Sequence, residues 1–278
     1  MKIMGILNVT PDSFSDGGKW ADAQCAIDHG QELLAQGAQI IDIGGESTRP
    51  GAQALSADEE WERIAPVVRA LAPLCEVSVD TYHAYTAQKA VEAGAAIVND
   101  VSGGQIDAQM FATVANLDCK YILQHSRGSF AQMNSFAEYH GEINDVVISE
   151  LLARRDLAVA AGISPERIVL DPGLGFAKLG MQDWQILRAT ERYLDLGHKI
   201  LIGHSRKRFL ASLAGADLPA AARDFATGTV SGVLSQIRGA ISGAGVWAVR
   251  VHNVEATRQA INAIKMMDLQ TVLPSDLG

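Results

Sequence analysis

Short apolar runs alternate with longer amphipathic stretches along nearly the whole chain. The runs lie at residues 3–8, 40–44, 77–80, 97–100, 121–124, 168–171, 200–203 and 246–251. Each is brief, apolar and closed by polar residues, as expected of a strand. Helical periodicity fills the intervals at 21–36, 58–72, 85–93, 107–115, 142–161, 182–192, 223–242 and 254–267. Strand–helix pairs repeated in this way predict an α/β fold, a single-domain (β/α)8 TIM barrel over residues 1–268, with 269–278 as a C-terminal tail. A doubly wound open sheet is the alternative topology, but it more often has fewer strands.

The helix ends carry their own signals. Ser56 precedes Glu59 by three residues, the spacing of a capping box. Gly37 and Gly94 stand just past their helices, where a left-handed C-cap belongs. In 223–242, Gly228, Ser231, Gly232, Ser235, Gly239 and Ala240 recur near helical spacing and leave a narrow face. That face suits close packing on the barrel or on a twin helix, so a homodimer is one expectation.

The C-terminal ends of the strands are more telling. They deliver Asn8, then the run Gly44 to Pro50, then Asp80 and Asn99-Asp100. Gln124-His125-Ser126-Arg127, Asp171-Pro172-Gly173, Gly203 to Lys207, and Arg250-Val251-His252 come next. In a parallel barrel these ends converge on one mouth, where such folds place their active sites. A single Asp or Asn there is as easily a loop cap, but the joint pattern is not. Residues 10–18, rich in Ser, Asp and Gly, have little means of building a core and suit a lid over a polar, phosphorylated ligand.

Composition narrows the function classes. The 278 residues carry a formal charge of −9, which argues against a nucleic-acid or membrane face. The hydrophobic fraction of 48% is ample for a core. Cys25, Cys75 and Cys119 are far apart and form no Cys-x-x-Cys pair, so they read as reduced residues. No apolar run approaches a membrane span, and Met1-Lys2 leads straight into a strand without a signal peptide. The expectation is a cytoplasmic protein.

Three constellations then carry chemistry. Asp80, Asn99, Asp171 and Lys207 can read the donor and acceptor edge of a flat heterocycle. Arg250 and His252, two apart on one strand, point to the same side and can hold a phosphate, while the Asn8 oxygen suits Mg²⁺. Ser205-Arg206-Lys207 reads as a basic helix start, which opposes the helix dipole unless an anion sits there. Arg250 could instead be a salt-bridged residue of the barrel end.

The motifs also resemble those of one family. Residues 3–18 resemble the opening signature of the dihydropteroate synthase family, and Ile-Asp-Ile-Gly-Gly-Glu-Ser-Thr-Arg-Pro-Gly at 41–51 resembles its second. Asp171-Pro-Gly-Leu-Gly-Phe-Ala-Lys178, Ser205-Arg-Lys207 and Arg250-Val-His252 extend the likeness over nearly the whole chain. The resemblance implies a transferase that joins 6-hydroxymethyl-7,8-dihydropterin pyrophosphate to p-aminobenzoate. It implies pterin contacts from Asp80, Asn99, Asp171, Gly175, Phe176, Gly203, Lys207 and Arg250. Pyrophosphate would meet Asn8, Arg49, Arg250 and His252, with Mg²⁺ on Asn8. p-Aminobenzoate would meet Phe14, Thr48, Arg49, Pro50, Ser205, Arg206 and Lys207. Asn8, Asp80, Asp171, Lys207, Arg250 and His252 would carry catalysis. Gln124, Ala177, Arg208 and Asn253 depart from the family's usual Met, Gly, Ser and Asp. None of these changes removes a group with assigned chemistry. A pterin-binding methyl-transfer domain, a non-catalytic pterin binder and a sugar-phosphate barrel are the rival readings.

Overall fold

The structure, a computed structural model, describes residues 1–10, 18–46, 55–128, 132–215 and 218–267. Eight strands close into a parallel barrel in strict chain order. They are β1 (Lys2–Asn8), β2 (Ile40–Gly44), β3 (Glu76–Asp80), β4 (Ile97–Asp100), β5 (Lys120–Gln124), β6 (Ile168–Asp171), β7 (Lys199–Ile202) and β8 (Ala248–Val251). Helices α1 (Gly18–Ala35), α2 (Ala57–Leu71), α3 (Ala84–Glu92), α4 (Met110–Ala115) and α5 (Ile143–Ala160) follow the first five strands. Next come α6 (Met181–Arg188), α7 (Thr190–Leu194), α8 (Ala211–Ala214), α9 (Asp224–Leu234) and α10 (Val254–Met267). The predicted barrel is therefore present. The tail at 269–278 lies outside the described residues.

Local signals act as read. Ser56 Oγ accepts from the Glu59 N–H, and Glu59 Oε2 accepts from the Ser56 N–H at 2.9 Å, so both halves of the capping box form. Gly37 and Gly94 adopt φ of 108° and 107°, which a Cβ would strain.

Two helices differ from expectation. The stretch 182–192 breaks at Ala189 into α6 and α7. The stretch 223–242 ends at Leu234, and the chain then folds into turns closed by an antiparallel bridge between Arg238 and Gly245. Asp195 accepts the Ile241 and Ser242 N–H groups, and Gly243 takes φ of 66°. These glycine-rich turns outcompete helix propagation. The small-residue face of α9 packs within the same chain: a Cβ on Gly228 would sit 3.2 Å from the Ala256 carbonyl, and one on Gly232 would sit 3.1 Å from Ile264.

The barrel interior is layered. Met4, Ile40, Ile97, Ile122, Val169, Leu201 and Ala248 form one apolar layer, all fully buried. Side chains alternate along a strand, so residues two positions further on also point inward. They are Ile6, Asp42, Asn99, Gln124, Asp171, Gly203 and Arg250, joined by Asp80 through its pairing with Asn99. Two positions back from the same layer stand Lys2 and Lys120, level with Glu76. The outward faces of the strands meet the helices in a second, larger core.

Candidate active site at the barrel mouth

Arg250 is the hub of the mouth. Its Nε donates to Asp42 Oδ2 at 2.5 Å and its Nη2 to Asp80 Oδ2 at 2.7 Å. Asn99 Nδ2 donates to the same Asp42 oxygen at 3.1 Å. Four strands thus meet in one hydrogen-bonded group. Asp42 is fully buried, and its other oxygen has no hydrogen-bond partner among the described residues. Burial pushes Asp80 up to about 7 while Arg250 pulls against it. Burial opposes the Arg250 charge, but Asp42 and Asp80 overcome it and hold the guanidinium ionised. The two bonds use two of the five donors a guanidinium carries.

The loops after β6 and β7 build the other side. Asp171 Oδ1 accepts the Gly173 N–H at 2.7 Å, and burial raises its carboxyl against the pull of Lys207. Gly173 is obligatory: at φ of 69°, a Cβ there would lie 1.9 Å from the His125 carbonyl. Lys207 Nζ donates to the Leu174 carbonyl and lies 4.9 Å above the Phe176 ring. Burial lowers Lys207 to about 8, with Asp171 holding it up. A Cβ on Gly203 would stand 3.5 Å from Asp171 Oδ2 and 3.8 Å from Lys207 Nζ, so glycine leaves that space open. A Cβ on Gly175, at φ of 74°, would stand 3.1 Å from the Lys207 stem.

Asn8 ends β1 exposed to solvent. His252, just past β8, meets Ser205: the Ser205 Oγ accepts the His252 backbone N–H at 3.1 Å and lies 3.0 Å from Nδ1. Arg206 turns away from this pair and forms a two-point ion pair with Asp224 at 2.6 and 2.7 Å. The basic helix start expected after Ser205 is instead a 3₁₀ turn, Arg208–Leu210, leading into the four-residue α8. It carries too few aligned peptides for a substantial dipole, so anion binding there rests on side chains.

Phe14, Thr48, Arg49 and Pro50 lie outside the described residues. The base of the second loop is described. Arg63 donates to the Gly45 carbonyl at 2.7 Å, and Tyr82 donates to Glu46 at 2.5 Å.

Residue-level reading of the sequence passes over Asp42. Its signal is present, since it is a carboxylate inside an otherwise apolar strand, two positions on from an inward Ile40. That reading also passes over the contact of His125 with Lys178, which joins residues 53 positions apart. No local pattern reveals that pair. Gln124, a departure from the family, is buried and donates to the Val101 carbonyl at 3.1 Å.

Residues 4–252 match the family described as Pterin binding enzyme. The chain is 44% identical to the dihydropteroate synthase of Mycobacterium leprae, over 95% of this chain and 92% of that protein. Its identity to the dihydropteroate synthase of Bacillus subtilis is 41%, over 96% and 87%. The chain belongs to the dihydropteroate synthase family. Its fold matches that of dihydropteroate synthase from Anaplasma phagocytophilum with bound 6-hydroxymethylpterin-monophosphate at a TM-score of 0.84. That pair shares 36% identity over 96% and 98% of the two chains. The Xanthomonas albilineans dihydropteroate synthase with 4-aminobenzoic acid matches at 0.82, with 35% identity over 98% and 94%. Family membership makes this chain a transferase and sets aside the methyl-transfer, non-catalytic and sugar-phosphate readings. No helix among the described residues is long and apolar enough to cross a membrane.

Proposed function

We propose that this mouth condenses 6-hydroxymethyl-7,8-dihydropterin pyrophosphate with p-aminobenzoate to give 7,8-dihydropteroate and pyrophosphate. One observation carries the reading: Asp80, Asn99 and Asp171 share one inward layer with Arg250, and Lys207 lies beside Asp171. Carboxylates and a carboxamide there accept from the ring N–H and amino groups of a pterin. Lys207, now on the Leu174 carbonyl, supplies a donor to its carbonyl or ring nitrogen. Arg250 and His252 hold the pyrophosphate as its bond to the methylene breaks. The positive charge that develops on the pterin methylene faces Asp80 and Asp171, both electron-rich. The amine of p-aminobenzoate then attacks, and Phe14, Thr48, Arg49, Pro50 and Ser205 place it. Arg206 acts from behind, clipping the β7 loop to Asp224. No protein nucleophile takes part, so the chemistry is positioning and electrostatics.

The donor set fits Mg²⁺ held mainly by substrate. Among the described residues no group of three His, Cys, Asp or Glu side chains could cage a metal, and Asn8 offers one oxygen at the rim. Bound there with pyrophosphate oxygens, Mg²⁺ would offset the charge of the leaving group.

The test is a pair of titrations. His252→Ala should weaken binding of the pterin pyrophosphate far more than binding of the unphosphorylated dihydropterin. Equal losses would remove His252 from the anion site. p-Aminobenzoate should bind well only once pterin, pyrophosphate and Mg²⁺ are present, and equal affinity without them would mean a preformed pocket.

We infer also that a second copy covers α9. Its outer face shows Phe225, 85% exposed, and Val233, 55% exposed, two turns apart. A monomer in light scattering at working concentration would remove this inference.

A further inference from the structure

We propose that Lys178 is a positioning residue that clamps the β6 loop into the shape that reads the pterin, with His125 as its third anchor. The inference rests on the pterin site described above. It goes beyond that site because Lys178 touches none of the side chains assigned there.

Lys178 is 2% exposed, and among the described residues no carboxylate accepts from it. Its Nζ lies 2.9 Å from His125 Nδ1, 3.0 Å from the Gly173 carbonyl and 3.1 Å from the Phe176 carbonyl. An ammonium has three protons and here meets three neutral acceptors. Burial lowers it to about 7, with Asp183 and Asp171 holding it up from a distance. Burying such a charge is costly, and an apolar side chain would serve a purely structural core better.

What the three bonds fix is the loop. Gly173 and Phe176 bracket the segment that meets Lys207, because Leu174 supplies the carbonyl it donates to and Phe176 the ring beneath it. The main chain enters the left-handed region at Gly173, Gly175 and Ala177. At Ala177, φ of 51° is strained for a residue with a Cβ. Such a backbone persists only if its surroundings over-determine it. Tyr139 donates to the Ala177 carbonyl at 3.0 Å on one side, and Lys178 pins Gly173 and Phe176 on the other.

His125 is held in turn. The ammonium donates to Nδ1, so the ring proton sits on Nε2 and goes to Glu150 Oε2 at 2.9 Å. Burial, with the nearby Lys178 charge, lowers His125 to about 4, which keeps the ring neutral. Burial acts to raise Glu150, but His125 and Arg127 bring it down to about 2. Arg127 donates to both its oxygens at 2.5 and 2.8 Å. A chain therefore runs from the half-exposed Glu150 through His125 and Lys178 to the carbonyls of the loop.

Two near-isosteres separate clamp from packing. In His125→Asn, Oδ1 stands near the place of Nδ1 and can still accept from Lys178, but Glu150 is lost. In His125→Gln, Nε2 stands near the imidazole Nε2 and keeps Glu150, but the Lys178 acceptor is lost. Calorimetry with dihydropterin, steady-state kinetics and amide hydrogen exchange of residues 173–176 in the ligand-free protein would be measured for both. Lys178→Met joins them where it folds. The expected result is similar melting temperatures and faster loop exchange in His125→Gln. Its dihydropterin affinity should fall at least about tenfold further than that of His125→Asn. The KM for pterin pyrophosphate should rise more than kcat falls. Lys178→Met should follow the Gln variant. Equal exchange and equal affinity in the Asn and Gln variants would overturn the clamp. Faster exchange with unchanged affinity would overturn its role in pterin reading. Failure of the wild-type protein to bind dihydropterin would overturn the site itself, while the exchange pattern would still decide the clamp.

Discussion

The two ends of the barrel are built alike and behave differently. At the base, Glu76 sits between Lys2 and Lys120, at 2.5 and 2.6 Å. At the mouth, Arg250 sits between Asp42 and Asp80, at 2.5 and 2.7 Å. Each is one charge bridging two of the opposite sign from three inward-facing strands. The base side chains of Lys2 and Lys120 are 41% and 32% exposed, whereas Asp42 is 0% and Asp80 15% exposed. The hubs Glu76 and Arg250 are alike at 19% and 20%, so it is through the outer partners that water screens the first group more than the second. Polar residues at a strand end are thus no mark of function by themselves, since any barrel interior must finish somewhere. What distinguishes the mouth is charge with more deeply buried partners, with Gly44 beside Asp80 and Gly203 beside Asp171 leaving space next to it.

The largest expected effect breaks the mouth group. Arg250→Ala leaves Asp42 and Asp80 without their shared cation. It should cost about 3–5 kcal/mol of stability in urea unfolding and abolish pterin pyrophosphate binding. Next, Asp171→Ala should weaken dihydropterin binding by about 1–3 kcal/mol in calorimetry, the cost of unpaired ring donors, while the fold holds. Unchanged affinity in the folded variant would remove Asp171 from the pterin site.

Acidity sharpens the contrast further. Lys207 is lowered to about 8 by burial, so raising the pH through that value discharges it in the folded protein. Lys178, lowered to about 7, discharges before it and leaves the clamp one donor short, so dihydropterin affinity should fall from about pH 7 and further above about pH 8. Stability should move the other way. From there up to the ordinary lysine value, the unfolded chain binds more protons than the folded one, so the Lys207 contribution to stability rises with pH. Calorimetry and urea unfolding over the same pH range would check both signs. The smallest effect belongs to the base. Glu76→Gln should change stability by about 0–1 kcal/mol and leave turnover intact. A large loss of turnover there would erase the distinction between the two ends.

Much of this architecture is legible in the chain. Buried strands of four to seven residues announce themselves as apolar runs, and their polar ends predict Asp80, Asn99, Asp171, Arg250 and Lys207 at one mouth. Helix ends are legible where a local cap acts, as at Ser56 and Gly37. They are not where distant groups decide, as when Asp195 captures the turn at 241–242. Asp42 shows in the chain as a lone carboxylate within an apolar strand rather than at its polar end, and Arg250 gives it meaning only in the closed barrel. Lys178 is hidden because its acceptors come partly from another strand's loop and partly from main-chain carbonyls.

The most direct measurement is of products. The wild-type protein and Glu76→Gln would be incubated with 6-hydroxymethyl-7,8-dihydropterin pyrophosphate, p-aminobenzoate and Mg²⁺, in parallel with Arg250→Ala, and analysed by mass. If turnover belongs to the mouth, the first two release 7,8-dihydropteroate with one pyrophosphate per product, and the third does not. No dihydropteroate from the wild-type protein, or undiminished product from Arg250→Ala, would contradict it.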